Sequence, residues 1–360
     1  MSGSSLDGLD IADCTLHFAD DGRVEWKMHH SATYPYEPRW QLRLRHLHRE
    51  TAFNFAKTHT YFSHYIAEMI EEFVEQHDLS PDFIATHGHT IFHHPDKRLT
   101  VQIGDGGALA AKTGYPVICN FRAHDIAING EGAPVAPIAD KLLFPDYDLY
   151  LNLGGIVNIS ANIDGRFVAY DVAPANQLLN ALAETRELPY DDDGAIARAG
   201  TLQPELFDKL NRNFYYGMPY PKSLANQYIS AKMYPVVERY PASLEDRMAT
   251  SCHHIAHQIC TAVDEIRKRE QFERKSYRMF VTGGGAFNGF LMEMIQQYCA
   301  EANIEVTIPP PEVIGFKESL LMALMGAMRL NNMPNVLSDV TGAERDTISG
   351  AVYQGWRKQV

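Results

Sequence analysis

Leu151-Asn152-Leu153-Gly154-Gly155-Ile156-Val157-Asn158-Ile159-Ser160 sets two apolar runs on either side of a glycine pair. Short apolar runs bounded by glycine read as strands, and the spacing predicts strands at 148–153, 156–162 and 166–171. Downstream, helical spacing covers 224–239 and 246–270, and a strand at 277–282 runs into Gly283-Gly284-Gly285. Helices follow near 288–299 and from Gly315 to Leu330. Upstream, Leu9, Ile11, Cys14, Leu16 and Phe18 alternate, as do Val24, Trp26 and Met28, about an Asp20-Asp21-Gly22 turn, which is a hairpin signal. Phe62, Tyr65, Ile66, Met69, Ile70 and Phe73 place a helix within 40–77. Asp82 to Thr86 reads as a short buried strand entering a His-rich loop, Gly104 to Lys112 as a helix and Tyr115 to Cys119 as a strand. Two successive blocks thus open on antiparallel strands around a glycine turn and continue into strand–helix alternation. That order predicts an α/β chain of two lobes, each a mixed sheet covered by helices. Pro134, Pro137 and Pro145 punctuate the passage between them, so the lobes are expected at 1–140 and 141–360.

Composition narrows the function classes. A chain of 360 residues suits two domains, and 45% hydrophobic with 21% charged residues excludes wholesale disorder. Lys and Arg total 32 against 45 Asp and Glu, a net charge of −13. Such a chain lacks the basic footprint that neutralises nucleic acid or an anionic membrane. A nucleotide would therefore be held by backbone N–H groups and a metal ion. No apolar run reaches ~18 residues, and Met1-Ser2-Gly3-Ser4-Ser5 lacks the basic and apolar regions of a secretory signal. Cys14, Cys119, Cys252, Cys260 and Cys299 are scattered and odd in number, so reduced thiols in a cytoplasmic protein are expected.

Three glycine-rich turns lie against strands: Gly3-Ser4-Ser5-Leu6-Asp7-Gly8, Leu153 to Asn158, and Gly283-Gly284-Gly285-Ala286. Glycine allows close backbone approach to anionic oxygens. Ser4 and Ser5 add hydroxyl donors, and Asp7 with Asp10 suits a hydrated Mg²⁺. No turn matches GxxxxGK[ST]. A single such turn is ordinarily a hairpin or a cap; three in two lobes favour a nucleotide gripped from both sides. His87, His89, His93 and His94 invite a zinc reading, but no Cys joins them and no helical i, i+4 pair exists, so a small hydroxylated ligand fits better. Asp171 stands where a strand meets a helix, beside Pro174, and either tightens that turn or acts chemically. Asp191-Asp192-Asp193-Gly194 reads as a solvated turn.

The run Met1-Ser2-Gly3-Ser4-Ser5-Leu6-Asp7-Gly8-Leu9-Asp10 resembles the opening of the anhydro-N-acetylmuramic acid kinases. So do His87-Gly88-His89-Thr90 with His94-Pro95, Gln102 to Gly106, Phe121-Arg122 with Asp125, and Gly130 to Pro134. Leu151 to Ser160, Pro221-Lys222-Ser223, Gly283 to Asn288, Lys317-Glu318 and Val340 to Ala343 follow in family order along nearly the whole chain. The resemblance implies an actin-like, hexokinase-like ATPase (ribonuclease H-like) fold, with a five-stranded sheet in each lobe closing over ATP. It implies a cytoplasmic enzyme, in the family a homodimer, that uses ATP, Mg²⁺ and water to open the anhydro ring and yield the 6-phosphate in cell-wall sugar recycling. Gly3, Ser4, Ser5, Leu6, Asp7, Gly8, Leu9 and Asp10 would form the first phosphate loop, with Asp7 and Asp10 facing Mg²⁺ through water. Gly154, Gly155 and Asn158 would form the second phosphate loop, and Gly283, Gly284, Gly285 and Asn288 would lie under adenosine. His87, His89, Thr90, Asn120, Arg122, Asp125, Glu131 and Gly132 would contact the sugar, and Asp171 matches the family's aspartate base.

Four departures qualify that resemblance. The chain opens at the phosphate loop itself, so the first strand of the sheet is expected to be lacking. Val172-Ala173-Pro174-Ala175 replaces Thr-Gly-Pro-Gly, Asn120 replaces aspartate, and Glu131 replaces glutamine, an acceptor-only group for an amide. Two other readings stay open on the sequence: a kinase of the same fold for another sugar, and a weakly catalytic protein that binds nucleotide or muramyl sugar to regulate a partner.

Overall fold

The glycine-hinged stretch folds as β7 (Leu149–Leu153) and β8 (Ile156–Ile163), an antiparallel pair extended by β9 (Arg166–Pro174). The computed structural model describes residues 1–3 and 6–357, and the chain divides into two units, Asp146–Gly315 and Met1–Pro145 with Phe316 onward. In the first of these, β10 (Tyr277–Thr282) and β11 (Ile304–Thr307) add in parallel on the other side of β7, giving the order β11-β10-β7-β8-β9. This is the expected mixed five-stranded sheet. Leu149, Tyr150 and Leu151 are all buried, Leu149 and Leu151 in the helix-packed core and Tyr150 against Tyr147 and Phe167, so β7 reads as a continuous apolar run. The helix Leu244–Glu270 supplies Cys252, Ile255, Ile259 and Ile266 to that core, and Ser243 caps its start by accepting from the Asp246 N–H at 3.1 Å. The helix expected at 224–239 is broken into Asn226–Tyr228, a wide turn at Ile229–Met233, and Tyr234–Glu238. Pro235, which has no N–H for an interior helical bond, sits in the first turn of the last piece.

The other unit opens with a long hairpin, β1 (Gly8–Phe18) and β2 (Val24–Pro35), as the alternation predicts. A bulge at Asp13/Cys14 explains why the apolar positions step from 9 and 11 to 14, 16 and 18. Behind it the helix Ala52–Gln76 buries Phe62, Ile66, Ile70 and Phe73, packing the first three with Leu9, Trp40, Leu44 and Ile103. The His-rich segment is a second hairpin, β4 (His89–His94) with β5 (Leu99–Ile103), not the expected loop. A register shift between Thr90 and Phe92 breaks the alternation that would have announced it. β3 (Ile84–Ala85), β6 (Val117–Cys119) and β12 (Ala351–Tyr353) form a third sheet. Because β12 pairs with β6, the chain from Phe316 packs with residues 1–145, whereas the sequence reading had assigned it to the second lobe.

Among the described residues this unit has no single five-stranded sheet; its strands fall into sets of two, three and two. β1 is paired along its length with β2, β3 is paired with β6, and neither shares a ladder with the other. A cavity of about 330 Å³, lined by β1 from Leu9 to Leu16, by Ile84 and Ala85, and by Met322 and Ala323, separates the two edges. None of the helices with described residues is long and apolar enough to cross a membrane.

Candidate functional site

Asp171 lies in β9 directly opposite Asn158 of β8, so the two side chains share a face, beside a bulge in which Val172 is the extra residue. The Asn158 amide donates to Oδ1, while the Ser223 hydroxyl (3.1 Å) and the Leu224 N–H (2.7 Å) donate to Oδ2. A carboxylate has about four acceptor positions; these three donors leave one on Oδ1. Burial pushes the carboxyl above the ordinary aspartate range, and the Leu224, Ser223 and Asn158 donors oppose that rise. The net effect is a carboxyl more basic than a solvated aspartate. The Tyr215 hydroxyl also donates to the Asp171 backbone carbonyl at 2.6 Å. Tyr215 and Leu224 were absent from the sequence-level site, and Ser223 was visible only inside the Pro221-Lys222-Ser223 match. Asn158, expected on the nucleotide, is here a partner of Asp171.

The glycine loops of this unit adjoin one another because Thr282 pairs with Asn152. Gly283 has φ +86° and ψ 160°, a region essentially reserved for glycine, and a Cβ there would meet Asn152 Oδ1 at 2.4 Å. A Cβ on Gly285 would meet Leu153 Cβ at 2.8 Å. By contrast, a Cβ on Gly154, Gly155 or Gly284 would come no nearer than 3.5, 3.7 and 3.7 Å to anything else in the chain. Internal packing does not require glycine at those three positions, which suits a surface that a ligand approaches closely. Asn176, next to Gly284, donates to the Leu153 carbonyl. Asn288 caps the helix Gly289–Glu301 by accepting from the Leu291 N–H at 2.9 Å. Asp191 is buried, not solvated as the triplet suggested: it accepts from the Ile196 and Ala197 N–H groups at 2.8 and 3.0 Å. Pro174 ends β9, two residues before the helix Asn176–Ala183, and does not sit in its first turn.

In the other unit a cavity of about 400 Å³ is lined by Gly3, Leu6, His87, His89, Thr90, Arg122 and Glu318 among others. The first loop and part of the expected sugar group therefore meet. Arg122 donates from Nε to His87 Nε2 at 2.8 Å and from Nη1 to the Gly132 carbonyl at 2.9 Å. His87 Nε2 is thus an acceptor, and Nδ1 carries the proton toward the Gly88 carbonyl at 3.2 Å. Burial, helped by the Arg122 charge, holds the His87 pKa down to about 3, so the ring is neutral. His89 pairs with the Ser2 hydroxyl at 3.0 Å. Asp125 is fully buried, accepting from the Gly132 N–H and the Thr341 hydroxyl, both at 2.8 Å. Its Oδ2 braces the 130–134 loop, and its Oδ1 ties that region to Thr341. Asn120, in the left-handed region at φ +59°, and Glu131 are exposed and do not line the cavity.

Ser4 and Ser5 lie outside the described residues. Gly8, Leu9 and Asp10 belong to β1, with Leu6 and Leu9 buried in the core, so the side chains there anchor the loop. Leu6 takes φ +60°, a strained geometry of the kind found at ligand loops. For Mg²⁺ the donor set is two carboxylates: Asp10 Oδ1 accepts from Thr33 at 2.6 Å, and Asp7 Oδ1 accepts from the Gly8 N–H at 3.0 Å. Burial raises the Asp10 pKa, a shift that a cation would reverse. Two such oxygens fit a hydrated ion better than a direct cage, and the described residues hold no cluster of three or more ligating side chains.

A family model described as anhydro-N-acetylmuramic acid kinase matches residues 1–355. A protein named anhydro-N-acetylmuramic acid kinase from Aliivibrio fischeri (strain ATCC 700601 / ES114) is 30% identical over 367 residues, covering 98% of this chain and 97% of its own. One of the same name from Hydrogenovibrio crunogenus (strain DSM 25203 / XCL-2) is 30% identical over 368 residues, covering 98% and 96%. Among solved structures, the activator of the 2-hydroxyisocaproyl-CoA dehydratase from Clostridium difficile with bound ADPNP is 16% identical, with a TM-score of 0.32 over 60% of this chain and 69% of its own.

Proposed function

The chain belongs to the anhydro-N-acetylmuramic acid kinase family, and from that premise we propose that it opens the 1,6-anhydro ring of anhydro-N-acetylmuramic acid with water while phosphorylating O6. It is an ATP-binding kinase. An anhydro sugar has no free 6-hydroxyl, so water must attack C1 as O6 departs and takes the γ-phosphoryl group. The product is N-acetylmuramic acid 6-phosphate. The observation that carries this reading is Asp171, whose carboxylate keeps one acceptor position on Oδ1 and is made more basic by burial. Asp171 draws the proton from the water, a contribution of roughly 10²–10⁴ in rate. The loops at Gly154–Gly155 and Gly283–Gly285 hold the nucleotide by backbone approach, and Gly3 to Asp10 hold phosphate. Mg²⁺, held through water by Asp7 and Asp10, would neutralise charge developing on the phosphates. The His87, His89, Thr90 and Arg122 group holds the sugar, and Asp125 braces the Gly132 backbone beside Arg122. A cytoplasmic homodimer serving cell-wall sugar recycling completes the proposal.

The test is a single-turnover reaction with ATP, Mg²⁺ and anhydro-N-acetylmuramic acid in water enriched with heavy oxygen. Label at C1 of the 6-phosphate is expected. A phosphorylated sugar without that label would instead indicate transfer to an ordinary hydroxyl. Binding of ATP and sugar with no product would favour a regulatory protein.

A further inference from the structure

Lys222 is a lysine with almost nothing around it but this unit: its side chain is only 4% exposed. Its ammonium lies 5.6 Å from the Tyr170 ring and 5.1 Å from the Tyr215 ring, donates to the Met218 carbonyl at 3.0 Å, and pairs with Glu265 at 3.8 Å. A cation held between two aromatic faces, a carbonyl and a carboxylate is fixed in place, because each partner would be left poorly solvated without it. The backbone on both sides of this anchor meets Asp171. The Lys222 carbonyl accepts from the Asp171 N–H, and the next two residues provide the Ser223 hydroxyl and Leu224 N–H that occupy Oδ2. Tyr215 closes the arrangement, since its ring faces the ammonium and its hydroxyl holds the Asp171 carbonyl. Asn158 takes one position on Oδ1 from the opposite side.

We propose that Lys222 is a positioning residue which, through its aromatic cage, locks the 222–224 backbone onto Oδ2 of Asp171 and so leaves Oδ1 as the oxygen that receives the proton. Asn158 then belongs to the same device and orients the carboxylate plane. This deepens the reading of Asp171 as the base and rests on it. The titratable and charged groups around the ammonium are Tyr170 and Tyr215, whose hydroxyls burial keeps protonated, Glu265, which pairs with Lys222, and beyond Tyr170 the Tyr220 ring with Arg269 over it.

The sign of the effect follows from the donors. Ser223 and Leu224 favour the ionised carboxylate, so loosening them raises the Asp171 pKa and leaves less base at a given pH. Lys222→Met keeps an unbranched apolar side chain between the rings and removes the charge. It is expected to lower kcat about 10–100-fold with KM for ATP and sugar within about threefold. The acidic limb of the kcat–pH profile should move upward by about one pH unit. Ser223→Ala, at an exposed side chain that poses little risk to folding, should shift kcat and the limb in the same direction, and adding it to Lys222→Met should change little more. Independent effects that multiply, or a lowered thermal midpoint with an unmoved pH profile, would overturn the proposal. Carbon-13 NMR titration of the Asp171 carboxyl in wild type and both variants, without substrate, gives a reading that needs no turnover. An unchanged Asp171 titration sinks the positioning role, whereas a shifted titration beside an inactive wild type sinks the base assignment alone.

Discussion

At the scale of the residue, the chemistry turns on how few atoms of Asp171 are left uncommitted. Asp171→Asn should reduce turnover by roughly 10²–10⁴ while nucleotide still binds, checked by kcat alongside a nucleotide titration; near-wild-type turnover would remove Asp171 from the mechanism. His87 gives a second prediction, in stability. Its folded value near 3 lies below the 6.5 of an unperturbed ring, so between these values the unfolded chain holds a proton that the folded chain refuses. Its full contribution is therefore present above about pH 6.5 and is lost on acidification at about 1.4 kcal/mol per pH unit. Denaturant titrations at pH 7 and 5 should show the loss, and His87→Gln should remove that part of the slope; an identical slope in the variant would refute the neutral ring. Residue types and glycine turns showed where chemistry could sit, and the family match named Asp171. What the sequence did not show was its surroundings: Tyr215 and Ser223 lie 44 and 52 positions away along the chain. Asn158 looked like part of a phosphate turn because the β8–β9 register that sets it opposite Asp171 is invisible in composition.

Among the elements, the two central glycine loops separate structural glycines from accessible ones. Gly283→Ala should destabilise by about 1–3 kcal/mol through its backbone geometry and its approach to Asn152. Gly155→Ala should leave the thermal midpoint near wild type and weaken ATP binding by roughly tenfold, equivalent to ~1.4 kcal/mol. Calorimetry and nucleotide titration on the pair distinguish the two cases, and equal ATP affinity in Gly155→Ala would show that no ligand approaches there. Most elements were legible where period and punctuation agreed: the strands around 149–174, the β1–β2 hairpin and the helix Ala52–Gln76. Reading failed where a local irregularity breaks the period. The β4–β5 hairpin hides behind its register shift, and the 226–238 helix is interrupted ahead of Pro235. β12 is three residues long and gains its place only by pairing with β6, a contact no local pattern encodes.

Across the whole molecule, the two units differ in how completely their strands are joined. Asp146–Gly315 has one continuous ladder of five strands, whereas the strands of the other unit are divided by a cavity of about 330 Å³. Amide exchange should follow that difference, with β7 and β10 among the slowest amides and β1 from Ile11 to Leu16 many-fold faster on the edge away from β2. Uniform protection across both units would contradict it. The return of Phe316 onward to residues 1–145 was not legible, because it depends on distant pairing. The divided sheet also has a practical side. The cavity between β1 and β3 is lined by apolar side chains, among them Ile66, Ile70, Phe73 and Met322, and by Met1. Met1, whose carbonyl accepts from the Asp10 N–H, lies on its wall, so a substitution at Met1 is felt both by the cavity and by the start of β1.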